Sequence, residues 1–185
     1  ELFVPFRCVA ADIRNREQVV FRNGKLNAAV RASMTFPFYV NPIRVNGQLL
    51  FDGGLYNNFP ANILYEDFQP DYIIGSNVSS NAKPPKEDDL ISQVNNMMVI
   101  PTRYELPCES GVIISPQMDI STFDFRKAEE AIKAGYDEAK NYIAQIRLDV
   151  KEYQDKEDLT ARRLAFRNSI KPIEVSEVVA RHNNK

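Results

Sequence analysis

An acidic residue at the end of an apolar strand, followed at once by two glycines, is the arrangement in this sequence best suited to chemistry, and it stands at Asp52-Gly53-Gly54. A strand end fixes a carboxylate in space, and glycines let other backbone or a substrate approach it closely. Asp-Gly is also a common turn pair, so the triplet alone leaves a purely structural reading open. The sole histidine, His182, lies far away in a polar tail, and a Ser-His-Asp relay therefore has no obvious base near Asp52. If a hydroxyl nucleophile were used here, Asp52 would have to take its proton itself. That requires a partly desolvated carboxylate, because water stabilises the charged form and keeps the group a weak base. Leu50, Phe51 and Leu55 are the apolar neighbours able to provide such a setting.

The elements that must position this triplet are legible on both sides of it. Asn46-Gly47 tolerates positive φ at both central positions and joins two predicted strands, Ile43 to Val45 and Gln48 to Phe51, as a tight hairpin. Upstream, Pro5 to Ala11 and Gln18 to Phe21 read as strands around the polar turn Arg14-Asn15-Arg16. Lys25 to Ser33 follows with Leu26, Ala29, Val30 and Ser33 at helical spacing. Downstream, Asn57 and Asn58 suit side-chain-to-backbone turns, and Pro60 suits the first turn of a helix running toward Tyr65.

Farther along, Asp71 to Val78 and Gly111 to Ser115 read as buried strands, separated by the polar, proline-bearing loop Ser79 to Asp89. Leu90, Ile91, Val94, Met97 and Met98 share helical spacing, which suits a core stripe or a lid or lipid-facing surface. A long amphipathic helix is expected from about Asp124, capped by Asp124 or Ser121, with its apolar face running from Phe125 to Ile146.

Arg31-Ala32-Ser33-Met34, then Pro37 and Pro42, then Asp52-Gly53-Gly54, then Asn57-Asn58-Phe59-Pro60 form an ordered series that resembles the patatin-like phospholipases. The upstream run Cys8-Val9-Ala10-Ala11-Asp12 fits the same pattern, and the resemblance extends over roughly Leu2 to Ile146. It implies an α/β fold, the C-terminal half of a three-layer α/β/α domain with a mostly parallel sheet, closed by a helix in which Gly135 permits close packing. It also implies that Asp52 is the partner of a nucleophilic serine, with Gly53, Gly54, Asn57 and Asn58 as its supporting loop.

In that family the serine elbow and the glycine-rich oxyanion loop lie N-terminal to this segment. No Gly-x-Ser-x-Gly occurs here, and Ser33, without flanking glycines, is expected to be structural. The expectation is therefore a fragment, inactive alone, of a phospholipase or esterase using a Ser-Asp dyad. Residues 1–146 would be the C-terminal part of the catalytic domain. Residues 147–185 would be a charged helix end, a linker and the start of a following module, with 173–179 as a strand. The alternatives are an inactive patatin-like scaffold or binding module linked to an outer-membrane or secretion module, and an unrelated α/β binding domain in which Asp52 is exposed.

At 185 residues and 44% hydrophobic content, the chain is long and apolar enough to bury one core. A net charge of −2 with interspersed signs speaks against a nucleic-acid partner. The resemblance implies a lipid or other acyl ester as substrate, and the Met-bearing stripe a membrane-surface contact. Cys8 and Cys108 stand in unlike settings and are expected to be free thiols, and with one histidine they supply no metal-ligand cluster, so neither metal nor cofactor is expected. The expected compartment is periplasmic or outer-membrane-associated if the tail leads into a transport-associated module, and cytoplasmic otherwise.

Overall fold

A computed structural model describes residues 2–171 apart from Ala82 and Tyr153. The strand expected over 173–179 and His182 lie outside the described residues. The chain divides into two compact units, Phe6–Lys151 and the flanks Glu1–Pro5 with Glu152–Lys185.

In the larger unit β1 (Cys8–Asp12), β2 (Glu17–Phe21), β3 (Ile43–Val45) and β4 (Gln48–Asp52) form a sheet in the order β2-β1-β4-β3. Every pairing in it is antiparallel. Two of the three pairings join consecutive strands through short turns, a connection that only antiparallel neighbours can use. Asn46 at φ 50° and Gly47 at φ 84° make the expected hairpin turn. The α/β class is as the sequence implies, with its parallel pairing in a second sheet. There β5 (Ile73–Ser76) runs beside β6 (Gly111–Ile114), from Ile73 opposite Gly111 to Ser76 opposite Ile114.

The main core lies between the four-stranded sheet and α1 (Leu26–Ser33). Ala10 of β1, Leu50 of β4 and Ala32 of α1 are wholly buried together, with Val19, Phe21, Ile43 and Val45 packed around them. Alanine on both the strand and the helix lets α1 approach closely, so Leu50 fills the space between them.

The helix α2 (Ala61–Phe68) starts directly after Pro60 and buries Ala61 and Ile63. Near its C-terminal end, Asp67 accepts from both Arg7 and Arg22, so one carboxylate ties α2 to the start of β1 and the end of β2. Phe59, just upstream, packs over β5 because Gly75 has no side chain there; a Cβ would stand 2.5 Å from the Phe59 ring.

Three expectations are corrected. The stripe on α3 (Leu90–Met98) is not core: the helix buries no residue, and Leu90, Ile91 and Met97 are each at least 70% exposed. The apolar face expected on α4 (Ala128–Asp149) is only partly covered, with Gly135, Ala139, Tyr142 and Ile146 half-buried where the helix packs on β6 but Phe125, Ile132 and Ile143 exposed, and nothing approaches Gly135 closely enough to need a glycine. Helical spacing specifies an apolar face, but not what covers it. Finally, the stretch expected as a linker contains a further helix, α5 (Lys156–Ser169). Asp155 caps it by accepting from Glu157 and Asp158 N–H, Glu157 and Asp158 complement its N-terminal dipole, and Arg167 its C-terminal one. In the same unit Phe3 lies 5.5 Å from the Phe166 ring and under Arg162 and Arg163.

Candidate active site

Asp52 ends β4 opposite Ala10, at the middle of the sheet. Its backbone N–H donates to Thr35 O at 2.9 Å, which couples the strand end to the loop that leaves α1. Thr35 is itself fully buried, and Arg31 secures that loop twice, donating to Thr35 Oγ1 and to Asn41 O. The Arg31-Ala32 pair thus acts in two directions, with Ala32 packed on the sheet while Arg31 staples the loop whose carbonyl receives Asp52.

The chain turns directly after Asp52 into one short 3-10 turn, Gly53–Leu55. Gly54 N–H donates to Asp52 Oδ1 at 2.8 Å. This is the only hydrogen bond to that carboxylate among the described residues, and it leaves Oδ2 open. The two glycines leave room for different neighbours, strand backbone at Gly53 and side chains at Gly54, and neither needs positive φ. A Cβ on Gly53 would stand 2.6 Å from the carbonyl carbon of Val9 in β1, and one on Gly54 would stand 2.7 Å from Asn58 Oδ1 and 3.1 Å from Asp52 Oδ1. Gly53 O in turn accepts from Tyr56 and Asn57 N–H.

The two asparagines have separate roles. Asn57 donates to Gln18 Oε1 at 2.9 Å and to Asn62 Oδ1 at 3.0 Å, bracing the loop against β2 and α2. Asn58 instead leans on Gly54 and donates to Ser79 Oγ at 2.7 Å. A cleft of about 390 Å³ opens on the Asn57 side, lined by Tyr56, Phe59, Thr102, Leu106 and Pro107 among others; Asp52 does not line it.

Asp52 is half-buried between fully buried Leu50 and buried Leu55. Burial pushes its carboxyl above the ordinary value, and the Gly54 N–H pulls it back without cancelling the effect. Asp12, two residues beyond Ala10 on β1, makes the contrast. It is 1% exposed, a residue to which the sequence reading gives no role. Burial raises the Asp12 carboxyl, but the N–H groups of Asn15 and Arg14 and the side chains of Gln48 and Asn15 outweigh it and hold it below the usual range. Both of its oxygens are engaged, so Asp12 fastens the β1–β2 turn to the β3–β4 hairpin. Of the two carboxylates on these adjacent strands, Asp52 is the one with a free oxygen and enhanced basicity.

Ser33 ends α1 with neither the glycines nor the strand-to-helix turn of a nucleophile elbow. Cys8 and Cys108 are free thiols. The residues that sequence spacing does not reveal are Thr35, Ser79, Thr102 and Tyr104, which reach the Asp52 loop only through the fold.

Residues 5–65 match the family model described as patatin-like phospholipase. An uncharacterised NTE family protein of Mycobacterium tuberculosis is 28% identical over 158 residues, covering 70% of this chain and 27% of the relative. A second NTE family protein of the same organism is 40% identical over 60 residues, covering 32% of this chain and 17% of the relative. A patatin-like phospholipase domain-containing protein of Caenorhabditis elegans is 39% identical over 66 residues, covering 35% of this chain and 5% of the relative. The chain thus spans about a quarter or less of these curated relatives. The matched segment contains the whole series from Cys8 to Pro60.

Proposed function

We propose, on the match of residues 5–65 to the family model described as patatin-like phospholipase, that this chain supplies the base of a Ser-Asp dyad in a lipid acyl hydrolase. Asp52 is that base. The serine and the oxyanion-binding N–H groups come from outside these 185 residues, so the isolated chain has no esterase activity. The observation that carries the reading is the state of the Asp52 carboxylate: fixed through Oδ1 by Gly54, open at Oδ2, and made more basic by burial.

In the first half-reaction the serine Oγ attacks the ester carbonyl carbon while its proton passes to Asp52 Oδ2. Collapse of the tetrahedral species breaks the bond to the alcohol, which leaves with that proton. A water molecule then attacks the acyl-serine, again giving a proton to Asp52. The carboxylic acid departs and the serine regains its hydrogen. Backbone N–H donors stabilise the oxyanion in both halves.

The second partner is a lipid surface. α3 presents Leu90, Ile91 and Met97 to solvent, and just past its end Ile100 N–H donates to Leu55 O at 2.7 Å, which fastens this apolar helix to the turn that follows Asp52. The dyad is tested by fluorophosphonate labelling of the longer protein. The wild type should label on serine and Asp52→Asn should not. Equal labelling of the two would remove Asp52 from the base role.

A further inference from the structure

The mechanism above uses Asp52 and its glycines but not the polar network that closes on them from the far side. Asn58 Nδ2 donates to Ser79 Oγ at 2.7 Å and lies 3.4 Å from Tyr104 Oη. Those two hydroxyls are themselves 2.9 Å apart. Below them, Asn58 N–H donates to the buried Thr102 Oγ1 at 3.2 Å. Thr102 is clasped by Asn81, whose Oδ1 accepts from Thr102 N–H at 2.7 Å and whose Nδ2 donates to Thr102 O at 3.0 Å. Three stretches distant in sequence thus meet at one amide. They are the turn after β4, the segment leaving the carboxyl end of the parallel strand β5, and the segment preceding β6. The carboxyl ends of parallel strands are where α/β folds place their ligands.

The direction of the Asn58 side chain gives the network its consequence. With Nδ2 held by Ser79, its Oδ1 stands against Gly54, 2.7 Å from where a Cβ would be, with Asp52 Oδ1 3.1 Å from the same point. The amide therefore backs the single peptide whose N–H fixes the Asp52 carboxylate. Without that backing, Gly54 has open space behind it and no side chain to limit its turn.

We propose that Ser79 and Tyr104 are positioning residues for the Asp52 turn, acting through the Asn58 amide to keep Gly54 N–H on Asp52 Oδ1 and Oδ2 open to the reacting hydroxyl. The proposal rests on the dyad reading for its catalytic meaning, but its geometry is a property of this chain alone. The neighbouring titratable groups are otherwise engaged: Asp12 by its four hydrogen bonds, Arg31 by Thr35 and Asn41. Releasing the clamp lets Gly54 N–H leave Asp52 Oδ1, so the carboxylate loses both its fixed orientation and the one bond that pulls its titration down.

Two measurements on Ser79→Ala, Tyr104→Phe and Ser79→Thr test this. Tyr104→Phe keeps the ring that packs 5.9 Å from Phe59, and Ser79→Thr keeps the hydroxyl. In the 185-residue chain, the carboxyl carbon of Asp52 followed by NMR should titrate at a higher pH in Ser79→Ala and Tyr104→Phe than in wild type, because the Gly54 N–H that lowers it is released, while Ser79→Thr keeps the wild-type midpoint. In the longer protein the first two should lose about 10- to 100-fold in kcat with KM little changed, as expected for a misplaced catalytic group. The acidic limb of their pH–rate profile should move to higher pH. An unchanged Asp52 midpoint in folded Tyr104→Phe overturns the clamp. If instead the midpoints move as expected while Asp52→Asn hydrolyses esters at the wild-type rate, the clamp stands and the dyad reading falls.

Discussion

Replacing Gly53 with alanine tests whether the turn after β4 is held against β1 as closely as described. The new Cβ would lie 2.6 Å from the Val9 carbonyl carbon and 3.1 Å from Val9 Cβ. Carbon atoms prefer about 3.5–4.0 Å, so the overlap is roughly 1 Å. It cannot be relieved by a rotamer change, because the obstacle is the backbone of a strand paired on both sides, with β2 and with β4. Moving Gly53 instead strains the bonds its carbonyl accepts from Tyr56 and Asn57. Overpacking of this kind costs about 1–3 kcal/mol, or about 2–12 °C in Tm for a chain of this size. Gly135→Ala is the control, since nothing lies within 4 Å of its would-be Cβ in the middle of α4; that change should stabilise by about 0.5–1 kcal/mol. Thermal and urea unfolding of the two variants beside wild type decides the matter. A Gly53→Ala chain melting at or above the wild-type temperature would refute the close approach and with it the rigid placement of Asp52.

Other expectations follow from the same structure. Leu50→Ala, which empties the wholly buried centre of the α1–sheet core, should cost about 2–5 kcal/mol in urea unfolding with the m-value unchanged. Asp12, held below the usual carboxylate range, contributes stability that is complete above its unfolded value of about 3.9 and is lost as pH falls through its lower folded value. Asp12→Asn should therefore flatten the acidic end of the stability–pH curve. Met97→Glu with Met98→Glu should reduce flotation of the longer protein with phosphatidylcholine vesicles while leaving its circular dichroism intact. Equal flotation by the folded variant would retire the lipid-facing role of α3.

The local turns and strands around the candidate site are written in the sequence because each depends on residues close together. Asn46-Gly47 fixes its hairpin by backbone preference, and Pro60 precedes α2 as its fixed φ allows. What neighbouring residues cannot specify is the partner across space. Asp12 looks like any strand-ending acid until Gln48, 36 residues away, donates to it. Tyr104 reaches Asn58 over 46 residues with no motif to announce it. The stripe on α3 has the spacing of a core helix, and only the fold shows that its apolar side is uncovered. Similarly, the charged run after Val150 reads as a linker because its few apolar residues give a weak pattern, whereas the Asp155 cap, the dipole-matched ends and the packing of Phe166 on Phe3 all favour α5.

The most direct measurement is turnover of a phospholipid or p-nitrophenyl ester by the longer protein carrying Asp52→Asn, with its unfolding followed in parallel at neutral pH. The amide oxygen can still accept from Gly54 N–H, and the variant loses a carboxylate whose burial opposes its charged form. It should therefore fold at least as stably as wild type while losing about 10²–10⁴-fold in kcat, the range for removal of a general base. A folded Asp52→Asn protein that turns over ester at the wild-type rate would contradict the central claim.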